Sequence, residues 1–286
     1  MSDKSSVGGG RRFRESTPSG CHAGPKVSVI TAVFNARDSI AACIESVLQQ
    51  DYPNIEYIVV DAVSNDGTID VLRRYEDRID IWISEPDDGI YDAWNKGLNL
   101  AKGEWIAFLG ADDAFVPGAI RRYMEVAAEL PSAEFLSSKA KLIHPSGYSP
   151  IFGGPWSWPA CARLMTTIHV GTMHKRSLFE RYGKFDTFYR IAGDYEFLLR
   201  AGGQLKAGFL PELTVMMRSG GASDSTAVLY EARHAKIQRG ARSPTMATLD
   251  LLFLIPRFYI RKMLLALFRK HVRIVKQILR GPTLDQ

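Results

Sequence analysis

The sequence predicts an α/β protein in which a mostly parallel central sheet is flanked by helices. Two observations carry this expectation. Between Lys26 and about Leu130, short apolar, β-branched runs alternate with stretches of helical period. Acidic residues follow two of the apolar runs, at Asp61 and at Asp112–Asp113, and in open sheets of this kind ligands bind beyond the carboxyl ends of the strands. The composition, 46% hydrophobic and 23% charged over 286 residues, supports a core of useful size, enough for one large domain or one domain with an appendage.

The elements follow in order. Lys26–Phe34 is the first strand. Asp38 or Ser39 can cap the next helix, in which Ile40, Ile44, Val47 and Leu48 make one buried stripe. Ile55–Val60 is a second strand, Thr68–Tyr75 a helix, and Ile79–Ile83 a third strand. Ile90–Ala101 is helical, and Glu104–Leu109 is a fourth strand. Ala114–Tyr123 reads as a helix with Asp113 ahead of it and Pro117 in its first turn. From Pro131 to about Gly221 the pattern is mixed, with Pro–Gly punctuation and the pair Trp156 and Trp158.

These stretches divide the chain. Residues 1–25, rich in Gly, Ser and Arg and without an apolar leader, read as a disordered basic tail. Residues 26–243 form the main domain, regular over 26–130 and mixed over 131–243. Residues 244–286 form a basic, amphipathic helical segment. Eight basic residues lie between Arg257 and Arg280 with no acid among them, so they supply more than the whole net charge of +5. The body of the protein is therefore net acidic, which argues against nucleic-acid binding. Cys21, Cys43 and Cys161 show no paired or metal-binding spacing and read as free thiols.

Four clusters carry candidate chemistry. Asp61-Ala-Val-Ser-Asn-Asp-Gly-Thr68 is either a tight turn or a nucleotide loop in which Asp61 accepts a hydrogen bond from a base or ribose. Gly110-Ala-Asp-Asp113 is either a helix cap or a pair of hard oxygen ligands for Mn²⁺ or Mg²⁺ on a diphosphate. Asp88-Gly-Ile-Tyr-Asp-Ala-Trp-Asn-Lys-Gly97 is either a solvated helix face or a site where Asn95 or Lys96 nears the donor. Ala192-Gly-Asp-Tyr-Glu196 is either a cap or the seat of a general base. No GxGxxG follows the first strand, which disfavours a dinucleotide-binding dehydrogenase.

Together, these clusters resemble the family 2 glycosyltransferases of the GT-A fold. The matching features are Thr31-Ala-Val-Phe-Asn35, Asp61 with Ser64-Asn-Asp-Gly-Thr68, Glu85 with Asp88–Gly97, Gly110–Asp113 and Gly193-Asp194. The stretch 81–97 is similar to the subgroup that builds exopolysaccharide, colanic-acid-like or O-antigen chains. The resemblance implies that 26–130 is a nucleotide-binding half and 131–243 an acceptor half, and that Thr31 and Phe34 line a base pocket, with Asn35, Asp88 and Lys96 in the nucleotide site. It implies that Asp61 reads the base, commonly uracil, that Asp112 contacts ribose or metal, that Asp113 binds the metal, and that Asp194 is the catalytic base. His169, Trp156, Trp158 and Glu196 become acceptor candidates, although the tryptophans and the histidine also suit a packed core. Two departures stand out: the family's frequent Asp-Gly-Gly-Ser is Asp61-Ala-Val-Ser64 here, and Ala111 replaces an acid.

The implied activity is an inverting, metal-dependent transfer of sugar from a nucleotide-diphosphate donor, UDP-linked by expectation, to a polyprenyl-linked or oligosaccharide acceptor. Two rivals stay open: a catalytically inactive GT-A-fold binding or assembly component at the membrane, and a sugar nucleotidyltransferase. Met246–Ile260 is apolar, short of the roughly 20 residues that span a bilayer, and interrupted by Pro256. With the basic residues beyond it, residues 246–280 suit an amphipathic helix on an anionic inner membrane surface. A helix packed on the core or in a homo-oligomer contact is the structural alternative. The expected location is cytoplasmic, peripheral on the inner face of the cell membrane.

Overall fold

The computed structural model describes residues 7–14, 24–145 and 147–280, with only the backbone path for residues 13, 14, 222 and 268–280. Strands β1 (Val7–Gly9), β2 (Val27–Val33), β3 (Ile55–Asp61), β4 (Ile81–Ser84) and β5 (Trp105–Gly110) alternate with helices α1 (Arg11–Arg14), α2 (Ile40–Leu48), α3 (Thr68–Arg74) and α4 (Ile90–Leu100). Then come β6 (Ala114–Phe115), α5 (Ala119–Glu129), β7 (Phe135–Ile143), β8 (Ile151–Phe152), α6 (Trp158–Cys161), β9 (Met173–Lys175) and α7 (Arg176–Tyr182). The chain continues through α8 (Gly193–Ala201), β10 (Ala207–Arg218), α9 (Ala227–Gln238) and α10 (Pro244–Arg280).

All the strands join one sheet in the order β1-β4-β3-β2-β5-β9-β7-β10-β6, with β8 on β7. The segment β4-β3-β2-β5 is parallel, as the βα alternation requires. Each of these strands is buried on both faces by period-two alternation. Val29, Tyr57, Val59, Ala107 and Leu109 face a core shared with α2 and α5, and Ile30, Ile58, Val60, Ile106 and Phe108 face a second core shared with α4 and α8. The register pairs Val33 with Asp61, Asp61 with Ser84, and Ala32 with Gly110, so the carboxyl ends of β2, β3, β4 and β5 finish along one line.

The sheet does not respect the division at residue 130. Strand β9 pairs antiparallel with β5, and β10 lies between β7 and β6, so the two sequence halves share one sheet.

Three expectations change. First, part of the segment read as a disordered tail is placed on the sheet: β1 pairs antiparallel with β4, and Arg11 and Arg12 reach Asp80 and Glu56 at 2.8 and 2.9 Å. The glycines that gave this segment its disordered composition are what admit the pairing, since a Cβ on Gly8 would lie 2.8 Å from the Trp82 carbonyl oxygen. Cys21 lies outside the described residues, whereas Cys43 and Cys161 are buried free thiols.

Second, no helix starts at Ala114. Residues 114–115 form β6 against β10, and α5 starts only after Gly118, whose φ of +77° turns the chain. Asp113 therefore caps no helix. Third, α10 continues through Pro256. Proline removes one backbone hydrogen bond, a cost that an exposed helix offsets by hydrating the freed carbonyl. Among the described residues no helix is long and apolar enough to cross a membrane.

Candidate active site

The line of strand ends collects the acidic clusters. Asp61 closes β3 and is buried. Its Oδ2 accepts hydrogen bonds from the Ser64 backbone N–H at 3.0 Å and from Ser84 Oγ at 2.6 Å. Its Oδ1 is buried without a partner in the structure. A carboxylate fixed at one oxygen and unsatisfied at the other is poised to accept a donor from a ligand, because leaving it unpaired is costly.

The loops around it are stitched together. Asn35 N–H donates to Ser64 Oγ, Asn65 N–H to Asn35 Oδ1, Ala36 N–H to Thr68 Oγ1, and Arg37 N–H to Asp66 Oδ2, all at 2.8–3.0 Å. Asn35 and Val63 hold φ of +48° and +58°. For a β-branched residue such a conformation is strained. The turn reading of Asn65-Asp66-Gly67 holds: Asp66 Oδ1 accepts the Thr68 N–H, and the loop borders Asp61.

At the end of β5, Asp112 is exposed and Asp113 is buried. Gly110 leaves the space that the two carboxylates use: a Cβ there would lie 2.6 Å from Asp113 Oδ2 and 3.3 Å from Asp112 Oδ1. Burial first, and then the Asp112 charge, push Asp113 up to about 7, while the Arg218 backbone N–H at 3.1 Å holds it in place. Converging hard oxygens with mutual repulsion suit a divalent cation. Among the described residues no group of three His, Cys, Asp or Glu is placed to hold a metal ion. Asp112 and Asp113 are the residues that would hold Mn²⁺ or Mg²⁺. The two carboxylates line a cleft of about 490 Å³ with Ser39, His144, Arg218 and Ser219. The last four come from irregular loops and a strand end, and nothing in their local sequence marked them.

Asp194 sits in the first turn of α8, half-buried. Its Oδ1 accepts from the Tyr195 N–H at 2.8 Å and lies 3.0 Å from the Tyr91 hydroxyl, whose single proton it shares with the Ile191 carbonyl oxygen at 2.7 Å. Burial raises its pKa to about 6, and the bonds from Tyr195 and Tyr91 oppose that rise. Capping of the turn before α8 falls to Glu231 of α9, whose carboxylate accepts the N–H groups of Arg190, Ile191 and Ala192. Asp194 is therefore free of that structural task, and its pKa is suited to proton abstraction near neutral pH. Tyr91, from the 88–97 cluster, is the anchoring residue that sequence reasoning missed.

Other candidates are placed elsewhere. Thr31 is buried in mid-strand against Tyr57 Oη at 3.2 Å, because an inner residue of β2 cannot reach the strand end; it lines no base pocket. Phe34, just past β2, is 62% exposed and Asp88 is exposed, so both can meet a ligand. Lys96 is committed to Glu85 at 3.1 Å, Asp92 at 3.3 Å and the Pro86 carbonyl, and Asn95 bridges the Phe185 backbone. Neither is presented to a phosphate. Glu196 is fully buried between Arg200 and Arg239, a structural ion cluster and not an acceptor contact. Trp156 packs on Phe135, and Trp158 packs beside Gly202 and Gly203. His169 is enclosed by Trp94, Phe108, His174 and Phe185 at ring distances of 5.0–5.7 Å. His169 is thus buried in the second core, whereas Trp156 and Trp158 are half-buried, Trp158 against a third apolar cluster with Cys161, Tyr195 and Leu199.

The chain resembles known glycosyltransferases along most of this framework. A family model described as Glycosyl transferase family 2 matches residues 28–139. An uncharacterized glycosyltransferase of Mycobacterium tuberculosis, Rv1514c, is 34% identical over 183 residues, 62% of this chain and 69% of that relative. A Bacillus subtilis glycosyltransferase named for teichuronic acid biosynthesis, TuaG, is 42% identical over 108 residues, covering 37% of this chain and 43% of its own length. In structure, Staphylococcus aureus TarS 1-349 in complex with UDP superposes with a TM-score of 0.63 at 18% identity, over 82% of this chain and 72% of that one. The mannosyltransferase PcManGT from Pyrobaculum calidifontis, in complex with GDP-Man and Mn²⁺, gives 0.57 at 18% identity, over 91% and 77%. At such identities the structural likeness establishes the GT-A fold.

Proposed function

Because the chain belongs to glycosyl transferase family 2, we propose that it moves a sugar, with inversion, from a nucleoside-diphosphate donor to an acceptor hydroxyl in the assembly of a cell-surface polysaccharide. One observation carries the reading: Asp61 with an unpartnered buried oxygen and Asp112–Asp113 converging beside Gly110 stand at the ends of β3 and β5 in one sheet, while Asp194 of α8 is hydrogen-bonded to Tyr91 of α4, the helix that follows β4. Relatives named for teichuronic acid and PGL/p-HBAD biosynthesis support the cell-surface setting.

The chain's own groups divide the work. Asp61 Oδ1 accepts an N–H or O–H from the nucleoside, and Phe34 offers it an apolar face. Asp194 receives the acceptor proton as that oxygen attacks the anomeric carbon from the side opposite the leaving diphosphate. The carbon–oxygen bond to the diphosphate breaks with its electron pair, through an oxocarbenium-like state. Asp112 and Asp113 would hold a divalent cation, which when bound would supply charge neutralisation for that leaving group. UDP is the favoured donor nucleotide and a lipid-linked saccharide the favoured acceptor.

Helix α10 fits a peripheral seat on an anionic membrane. Beyond its first turns Leu252, Phe253, Tyr259, Ile260, Met263 and Leu264 are exposed beside Arg257, Arg261 and Lys262.

A nucleotide-release screen tests the reading. Purified protein with Mn²⁺ or Mg²⁺ meets UDP-, GDP-, dTDP- and CMP-sugars, with and without membrane lipid extract. Metal-dependent release from one donor, lost in Asp113→Ala, is the expected result. Nucleotide binding absent in every combination would instead favour an inactive assembly component.

A further inference from the structure

Asp194 opens into a second cavity, of about 200 Å³, enclosed by the 163–165 segment, α8, α9 and the start of α10. Leu164, Met165, Ile191, Val228, Leu251 and Leu254 supply its apolar walls. Its polar lining is limited to Asp194, Tyr195, Lys236, Ser223 and Arg163, and two of these groups are already committed. Lys236 Nζ donates to the Arg163 carbonyl at 3.0 Å and to Asp250 at 3.2 Å, and the Tyr195 hydroxyl donates to the Cys161 carbonyl at 2.5 Å.

A free sugar ring would turn most of its hydroxyls toward these apolar walls, and each one buried without a partner costs about 1–3 kcal/mol. An apolar group would meet no such cost. An apolar cavity of roughly 150 Å³ holds a benzene ring, so 200 Å³ holds one six-membered ring with a short substituent.

Resting on the reading of Asp194 as the base, we propose that this cavity takes an apolar, ring-sized group that lies next to the reacting hydroxyl of the acceptor. The acceptor class is thus an apolar alcohol, or a glycoside whose apolar aglycone lies within one sugar of the attacking oxygen. Helix α10 then has a second role. Leu251 and Leu254 close the acceptor cavity, and the same helix continues outward past Arg257, Ile260 and Arg261, which with Tyr148 line an open apolar groove where a longer chain could continue.

Benzyl alcohol joins a hydroxyl to a six-membered apolar ring and serves as the probe, with glycerol as the polar control. Saturation-transfer NMR on the full chain reads its binding without any donor. Saturable binding of benzyl alcohol and none of glycerol is expected, weakened at least tenfold in both Ala232→Phe and Val228→Phe, which fill the cavity. Calorimetric affinity for the nucleotide identified by the donor screen should match wild type in at least one filled variant, which shows that the variant is folded. Absence of benzyl alcohol binding, or binding that persists in a folded filled variant, overturns the proposal. Failure of nucleotide binding in the wild-type chain would instead count against the transferase reading, so the two failures are distinguishable.

Discussion

Two residues carry most of the local argument. Asp194 is held by the Tyr91 hydroxyl, and burial lifts it to about 6. A base must be ionised to act, so turnover should fall as pH drops through about 6. Tyr91→Phe removes a bond that favours the charged form and should move that acid limb to higher pH. A pH profile of kcat for both proteins checks it, and an unmoved limb would deny the Tyr91 link. Val63 is the second. Its φ of +58° puts a β-branched side chain where Asn is far better tolerated. Val63→Asn should therefore stabilise by about 1 kcal/mol, raising Tm by about 2–4 °C for a chain of this class. Calorimetry would show it; a lower Tm would mean that the valine side chain contributes packing worth more than its strain. In sequence, Val63 was legible only as a bulky substitute for glycine, because φ is a property of the closed loop.

At the scale of elements, β2 to β5 and α2 to α4 were legible almost residue by residue, since continuous β-branched runs and a clear helical stripe each admit one solution. The misreadings occur where tertiary pairing overrides local pattern. Ala114–Phe115 became a strand because β10 lies beside it, and Gly8–Gly9 joined the edge because absent side chains let the backbone approach Trp82. The same partnership displaced the proposed boundary of the last segment. Ala247 and Leu251 are buried, and Asp250 pairs with Lys236 and Arg242, so the first turns of α10 belong to the core and only the later turns project. Replacing Leu252, Phe253 and Ile260 together by Glu in the full chain should abolish sedimentation with phosphatidylglycerol vesicles while leaving Tm nearly unchanged. Undiminished sedimentation would remove the membrane role of α10.

On the scale of the whole molecule, the sheet aligns the acids and a second, aromatic core supports the helix that bears Asp194. That core encloses His169, whose ring nitrogens have no partner and whose pKa burial lowers to about 3. Unfolded histidine binds a proton near 6.5. The native state is thus at its full stability with respect to this group above that pH, and loses stability progressively as pH falls toward 3. His169→Phe should shift acid unfolding to lower pH, measured by circular dichroism; an unchanged midpoint would mean that other groups control it. Sequence placed this histidine near the acceptor because the resemblance marks the position without showing what surrounds it. Asp61, Asp112, Asp113 and Asp194 stand out in the sequence as candidates, whereas the contacts that Ser84, Arg218, Tyr91 and Glu231 make with these segments do not, since each forms only in the closed fold. The central claim is that Asp194 takes the acceptor's proton while Asp61, Asp112 and Asp113 serve the donor. Its most direct test is Asp194→Asn, assayed with the donor identified by the screen. Turnover should fall on the order of 10²-fold or more, with calorimetric nucleotide affinity retained; an Asp194→Asn protein with wild-type turnover would contradict the account.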